Sequence, residues 1–170
     1  DDVVVFDSLS ATGGLNLQIM KAVDMIKQGL SMNEIVGKLE KYRDEEMTMF
    51  ALLNTLENVV KGGRLSKFTG AIAKLFDIKA ILDIVDGTVV LAEKLRGKKQ
   101  MLEKSLEKIG EKVSDFSKRV FYITHVDNPE DAKYLKQEIL KRFNPMDVVI
   151  NYMGPTISTY AGKGGIVISL

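Results

Sequence analysis

The sequence predicts an α/β protein in which helices pack on a mixed, largely antiparallel sheet. Short apolar runs, typical of buried strands, alternate with segments whose apolar residues recur every three to four positions, as in amphipathic helices. The dipeptide Asp86-Gly87 separates two strand-like runs and is a strong signal for a two-residue hairpin, which requires antiparallel pairing. Apolar residues make up 45% of the 170 residues, enough to build a core.

The first part of the chain predicts a strand followed by two helices. Residues 3–6 form a continuous apolar run, as in a strand that is buried on both faces. A loop rich in turn-forming residues, residues 8–14, leads into a helix over residues 15–26. Ser31 and Glu34 have the spacing of a capping box, which opens a second helix.

The rest of the chain predicts further elements of both kinds. Strands are predicted at residues 47–53, 78–85, 88–94, 120–126, 148–152 and 165–170. Helices are predicted at residues 66–76, at residues 102–116 and from Asn128 onward, where Pro129 occupies the first helical position. The inner stripe of that last helix is predicted to comprise Leu135, Ile139, Leu140 and Phe143. Gly154-Pro155-Thr156 is predicted to be an extended turn that leads to Tyr160.

Composition excludes several classes of function. The net charge of +1 gives no global field that would attract nucleic acid or an anionic membrane, so we expect neither as a partner. No apolar run approaches the ~20 residues of a membrane helix. The absence of cysteine excludes disulfides, thiolate catalysis and cysteine-ligated metals, and it fits a cytoplasmic protein. Because the chain starts with Asp1-Asp2, without methionine and directly before an apolar run, we expect a truncated or proteolysed product that lacks part of the functional site.

Two motifs near the end of the chain favour structural interpretations. His125 is the only histidine, and without cysteines or a second histidine it is a poor metal candidate, so we interpret it as structural. Gly162-Lys163 resembles a phosphate-binding loop superficially. However, Gly164 follows in place of serine or threonine, and a strand follows in place of a helix.

The loop at residues 8–14 has two interpretations. A loop between a strand and a helix can bind an anion, because free backbone N–H groups and the helix dipole point outward there. In the other interpretation the loop only caps the helix, and its glycines allow tight packing. The G-x-G-x-x-G spacing of a dinucleotide-binding loop is absent.

Gly62-Gly63-Arg64 also has two interpretations. Glycines permit backbone angles that side chains forbid, and Arg64 places a planar guanidinium directly after them, suited to a carboxylate or phosphate. The simpler interpretation is a glycine helix cap followed by a solvated arginine. A second basic segment, residues 94–99, contains Arg96.

Taken in order, Gly62-Gly63-Arg64, the basic segment with Arg96 and the closing residues 154–164 resemble the C-terminal portion of the DegV family. That family comprises bacterial fatty-acid-binding proteins that hold an acyl chain for a partner fatty-acid kinase. The resemblance implies that residues 1–45 are the end of an N-terminal α/β lobe and residues 46–170 a C-terminal lipid-binding lobe.

The resemblance also implies site residues. Arg64 and Arg96 are expected near the fatty-acid head group and the surface that meets the kinase. Tyr160 stands where the family has a histidine. Its hydroxyl can donate to a carboxylate, but tyrosine does not titrate near neutral pH as histidine does. The expected ligand-binding residues are Arg64, Arg96, Tyr160, Gly62, Gly63 and Ser8, with Phe68, Ile72, Leu75 and Phe76 lining an acyl tunnel.

The function that we expect is therefore that of a lipid carrier and not of an enzyme, with no cofactor. One alternative is a phosphate-handling enzyme that uses residues 8–14 as an anion cradle. Another is an interaction module whose basic segments bind a protein partner without lipid.

Overall fold

A computed structural model describes residues 3–65, 78–113 and 115–170 of the chain. This part of the chain contains six α-helices and six strands. The helices are α1 (Thr12–Lys27), α2 (Met32–Lys41), α3 (Glu57–Lys61), α4 (Lys98–Lys112), α5 (Pro129–Phe143) and α6 (Pro155–Ala161). The strands are β1 (Met49–Leu53), β2 (Lys79–Val85), β3 (Thr88–Leu95), β4 (Val120–His125), β5 (Asp147–Tyr152) and β6 (Ile166–Ser169).

All six strands belong to one sheet, in the order β3-β2-β1-β6-β4-β5. Every neighbouring pair is antiparallel except β4 and β5, which run parallel and are joined through α5. The predicted α/β class with a mixed, largely antiparallel sheet is therefore confirmed. The Asp86-Gly87 hairpin is also confirmed. Both turn residues have positive φ, +49° and +70°, as the twist-compatible two-residue turn requires.

The alternation of side chains along the strands creates two different faces. On one face, Phe50 and Leu52 of β1 pack with residues of α4 and α5, among them Leu106, Leu135 and Ile139. On the other face, the odd-numbered residues of β1 pack with α3 and α6. This second face also carries α1, which packs on β4 and β6, and both Leu17 of α1 and Tyr42 pack around the side chain of Tyr122.

The capping box of α2 is present, with the Ser31 N–H donating to Glu34 Oε2 at 2.9 Å. The helix then continues into a π-helical turn, Tyr42–Glu46, in which the Met47 N–H donates to the Tyr42 carbonyl at 2.9 Å. The helix predicted at residues 66–76 lies outside the described residues. Within those that are described, no helix combines the length and the apolar character that crossing a bilayer demands.

Two predictions at the ends of the chain were wrong. Residues 3–6 form no strand, and Val3 and Val5 are 82% and 94% exposed. An apolar run becomes a buried strand only when neighbouring strands pair with it, and no described strand does so. Residues 155–161 form α6 in place of an extended turn. Pro155 at the first helical position after Gly154 favours a helix start, because its fixed φ is already helical.

Two helical predictions also need correction. Leu140 of α5 is 41% exposed, although it follows the buried Ile139. Consecutive residues of an α-helix point in directions that differ by more than a quarter of a turn, so Leu140 faces outward. The helix predicted to reach residue 116 ends at Lys112. Phe116 nevertheless packs against the core from the following loop, with its ring centroid 4.7 Å from that of Phe143 of α5 and 6.1 Å from that of Phe121 of β4.

Candidate ligand-binding site

A cavity of about 470 Å³ lies on the second face of the sheet. Its volume falls within the roughly 300–1,000 Å³ that is usual for small-ligand sites. Apolar strand residues make its floor: Met49, Ala51, Leu53, Leu82, Ile84, Val89 and Val167. Its walls come from four segments, which contribute Val59 and Arg64, then Thr156, Ile157, Tyr160 and Ala161, then Asp7, Leu9, Ser10, Ala11 and Thr12, and finally Gly87.

The alternation of apolar residues along β1 and β2 is a sequence signal for this floor. Met49, Ala51 and Leu53 alternate along β1, and Leu82 and Ile84 alternate along β2, so all five point to one face. Alternation predicts which residues share a face. It does not predict that the helices above leave space between themselves and the sheet.

Gly62 and Gly63 shape the chain that presents Arg64. The Arg64 N–H donates to the Val59 carbonyl at 3.0 Å, and the Gly63 N–H donates to the Val60 carbonyl at 2.9 Å. This bonding pattern, with Gly63 at φ +79°, is a Schellman motif at the end of α3. The helix-cap interpretation of Gly62-Gly63 is thus correct, and the same cap brings Arg64 to the cavity.

Tyr160 of α6 contacts both Gly62 and Arg64 at this end of the cavity. A Cβ on Gly62 would overlap Cδ1 and Cε1 of the Tyr160 ring, so the ring packs directly on the Gly62 backbone. The guanidinium carbon of Arg64 lies 4.2 Å from the centroid of the same ring, a cation–π geometry. The Arg64 Nη1 donates to the Gly62 carbonyl at 2.7 Å, which fixes the guanidinium over the ring.

The loop at residues 8–14 contributes to the cavity only in part. Ser8 is not among the lining residues, and its hydroxyl accepts from the Ser10 N–H at 3.3 Å within the loop. A Cβ on Gly13 would lie 2.8 Å from Cβ of Tyr122, and one on Gly14 would overlap the sulfur of Met49. The two glycines therefore serve tight helix–sheet packing. Thr12 faces the cavity, and its buried Oγ1 has no hydrogen-bond partner within the described part of the chain.

Arg96 does not line the cavity. It follows β3, is exposed, and its backbone N–H donates to Oε1 of Gln100 at 3.4 Å. Arg96 directly follows Leu95, which pairs with Lys79, and the residue after Lys79, Ala80, pairs with Leu53 at the end of β1. Arg64 follows that end of β1 through α3, so both arginines lie at the same edge of the sheet. The two arginines thus share this edge, but only Arg64 lines the cavity. The other four predicted lining residues, Phe68, Ile72, Leu75 and Phe76, lie outside the described residues.

The geometry around His125 supports its structural interpretation. The imidazole is 3% exposed, and its Nδ1 accepts from the Asn128 N–H at 3.3 Å. Its ring meets Tyr152 edge to face, with centroids 4.8 Å apart. Burial lowers the pKa of His125, while the charge of Asp127 opposes that shift. Across the three described ranges, no group of three or more metal-ligating side chains occurs.

The start of α4 makes a contact that the sequence analysis did not predict. Lys98, part of the basic segment at residues 94–99, lies with its Nζ 2.9 Å from Oδ1 of the largely buried Asp131. The other carboxylate oxygen of Asp131 accepts from Nδ2 of Asn128, which also donates to the Gly164 carbonyl. These bonds connect α4, α5 and the segment that leads into β6.

Known proteins are similar to this chain over nearly all of its length. A family model described as "Uncharacterised protein, DegV family" matches residues 1–170. The "Fatty acid-binding protein" of Thermotoga maritima is 31% identical over 163 residues, which are 95% of this chain and 57% of that protein. The chain spans 57–59% of the length of the first curated relatives that it matches.

Two solved structures extend the likeness to the fold. A DegV family protein from Eubacterium eligens loaded with heptadecanoic acid aligns with a TM-score of 0.88 at 28% identity, over 99% of this chain and 60% of that one. The Streptococcus pneumoniae Fatty Acid Kinase (Fak) B3 protein loaded with linoleic acid aligns with a TM-score of 0.87 at 29% identity, over 99% and 59%.

Proposed function

The chain belongs to the DegV family, and we propose that it binds a long-chain fatty acid whose acyl chain occupies the 470 Å³ cavity. The observation that carries this proposal is the composition of the cavity. Its floor is entirely apolar, while the paired side chains Arg64 and Tyr160 lie at one end. An amphiphile with one anionic end and a long apolar chain matches that arrangement.

The energetics favour this class of ligand. Removing each methylene of an acyl chain from water contributes roughly 0.8 kcal/mol, so the apolar floor alone supplies substantial affinity. The head group then needs only to be oriented. A guanidinium binds a carboxylate through paired, charge-assisted hydrogen bonds, which is the role that we propose for Arg64. The Tyr160 hydroxyl is a second possible donor to the same carboxylate.

We further propose a carrier role, in which the head group is presented to a partner fatty-acid kinase and the chain itself is not an enzyme. The Streptococcus neighbour, named as a fatty acid kinase B protein, supports that partner. Arg64 and Arg96 are both exposed at one edge of the sheet, where a docking protein could reach both. The cysteine-free sequence fits the cytoplasmic location that we include in the proposal.

The proposal includes the division of the chain into two parts, with residues 46–170 forming the lipid-binding lobe and residues 1–45 belonging to a second lobe. Support comes from α1, whose outward side carries an apolar stripe. Leu15, Ile19, Val23 and Ile26 recur at helical spacing, and each is exposed. A stripe of this kind is usual where a helix packs against another layer.

The alternative in which residues 8–14 cradle a phosphate has less support. The Ser8 hydroxyl bonds within its own loop, and Gly13 and Gly14 are closed off by Tyr122 and Met49. The loop residues that do line the cavity, Leu9, Ser10, Ala11 and Thr12, adjoin an apolar floor unsuited to a phosphate ester.

The proposal is tested by native mass spectrometry of the chain after incubation with palmitic, oleic and linoleic acids. We expect a stoichiometric mass excess that solvent extraction identifies as fatty acid. The blocking variant is Ala51→Phe, whose ring would occupy the cavity, and Ala92→Phe on the exposed part of β3 is its matched control. No bound fatty acid on the unmodified chain, or equal binding by both variants, would contradict the proposal.

A further inference from the structure

Leu9 separates the large cavity from a second, smaller cavity of about 160 Å³. Both cavities are lined by Leu9, Met49, Ile84 and Gly87, so they meet at these residues. The smaller cavity adds charged residues on its far side, including Arg43 and Asp44. The large cavity has Asp7 beside Leu9 and Arg64 elsewhere in its lining, and beyond Leu9 the smaller cavity adds Arg43, Asp44 and Asp86.

The backbone of Leu9 is held in a conformation that leucine rarely adopts. Its φ is +46°, in the left-handed region, which is unusual for a bulky residue. Three hydrogen bonds fix the surrounding loop. The Leu9 N–H donates to Oδ1 of Asp7 at 3.0 Å, Nη1 of Arg43 donates to the Asp7 carbonyl at 2.7 Å, and Nε2 of Gln18 donates to the Ser8 carbonyl at 3.0 Å. Strain of this kind persists only where the surroundings over-determine the position.

The side chain of Leu9 packs against the β2–β3 hairpin. A Cβ on Gly87 would lie 3.3 Å from Cδ2 and 3.6 Å from Cβ of Leu9, so the two residues are in close contact. The hairpin is at the opposite end of β2 from Ala80, which pairs with Leu53 near the Arg64 end. Leu9 therefore closes the end of the cavity that is remote from Arg64 and Tyr160.

We infer that Leu9 sets the acyl-chain length that the cavity accepts. The inference rests on the proposed fatty-acid binding, with the head at Arg64 and the terminal methyl at Leu9. An acyl chain that fills the cavity ends against an apolar side chain. A longer chain would have to displace Leu9 and enter a space lined by Arg43 and Asp44, whose desolvation is costly.

The test compares the affinities of the chain and its Leu9 variants for saturated fatty acids of increasing length, by displacement of a fluorescent fatty acid. Leu9→Gly removes the barrier, and it is expected to fold because glycine adopts positive φ at little cost. Leu9→Phe adds bulk at the same position. Val90→Ala, on the exposed part of β3 next to the lining residue Val89, is the control.

We expect Leu9→Gly to raise the affinity for arachidic acid relative to palmitic acid by about tenfold, the gain when about two further methylenes leave water. Leu9→Phe should shift the preference toward myristic acid, and Val90→Ala should leave it unchanged. If the unmodified chain binds no fatty acid, the proposed function itself fails. If it binds, and the length preference stays the same in both Leu9 variants, the inference about Leu9 is overturned while fatty-acid binding stands.

Discussion

The guanidinium of Arg64 lies against the ring of Tyr160, its central carbon 4.2 Å from the ring centroid, and the same ring packs on the backbone of Gly62. A cation–π contact at an exposed site contributes about 0.5–1 kcal/mol. This energy favours the stacked orientation of the two side chains but does not make it rigid. Tyr160 therefore holds Arg64 at the cavity mouth by packing, a role that does not depend on the hydroxyl.

The first prediction concerns the two exposed arginines. In the protein with its kinase partner, Arg96→Ala should leave fatty-acid affinity unchanged, because Arg96 does not line the cavity, while phosphorylation of the bound fatty acid is lost. Arg64→Ala should retain most of the lipid, since burial of the acyl chain supplies most of the affinity, and should also lose phosphorylation. Both are measured by acyl-phosphate formation beside lipid binding. Unchanged acyl-phosphate formation in both variants contradicts the role of the arginines.

The second prediction concerns the space at Gly62. Gly62→Ala places a methyl group where the Tyr160 ring lies and should destabilise the fold by about 1–3 kcal/mol, the usual cost of overpacking. Gly97→Ala is the control, because a Cβ there meets nothing within 4 Å. Urea unfolding measures both. In a double-mutant cycle Tyr160→Ala should recover part of the loss, and strict additivity would show that the ring is not the cause.

The third prediction concerns pH. Burial lowers the pKa of His125 in the folded state below the ordinary value of about 6.5, so the unfolded chain binds this proton more readily. The stabilisation from neutral His125 is therefore present above about pH 6.5 and is lost as the pH falls through the folded-state pKa, with a slope of at most about 1.4 kcal/mol per pH unit. Urea unfolding between about pH 7 and 5 measures it. His125→Gln should reduce the dependence of the free energy of unfolding on pH in that range. An unchanged slope would exclude His125 as the source of this pH dependence.

The fourth prediction concerns the two sides of α1. Ile19→Lys should change the stability of this chain by no more than about 0.5 kcal/mol, because Ile19 faces solvent. Leu17→Ala should cost roughly 2–5 kcal/mol, because Leu17 packs with Tyr42 and Tyr122. Thermal unfolding separates the two. Equal losses would mean that the outward stripe already has a packing partner within this chain.

Sequence reasoning succeeded where the information is local. Asp86-Gly87 specifies a turn through its own backbone preferences, and Ser31 with Glu34 specifies a helix start in the same way. It failed at residues 3–6, because an apolar run states a preference for burial but does not supply the neighbouring strand. The prediction of an extended turn at Pro155 failed because proline also suits the first position of a helix, which is the position that it occupies in α6.

The candidate site was only partly predictable for a related reason. The glycines before Arg64 identify a helix cap, and the resemblance to the DegV family directed attention to Arg64 and Tyr160. Nothing local to Leu9 indicates that it separates two cavities, because that property depends on the distant hairpin and on the loop bonds from Arg43 and Gln18. Leucine also gives no sequence signal of a positive φ.

β1 has a consequence for how substitutions act along a single strand. Phe50 and Leu52 point into the fully packed core on one face of the sheet, whereas Met49, Ala51 and Leu53 line the large cavity on the other face. The strand is thus a partition whose even positions maintain the fold and whose odd positions shape the space for a ligand. Neighbouring residues of one strand are therefore under different selection. Substitutions at the even positions must conserve side-chain volume, whereas substitutions at the odd positions can follow the shape of the bound molecule.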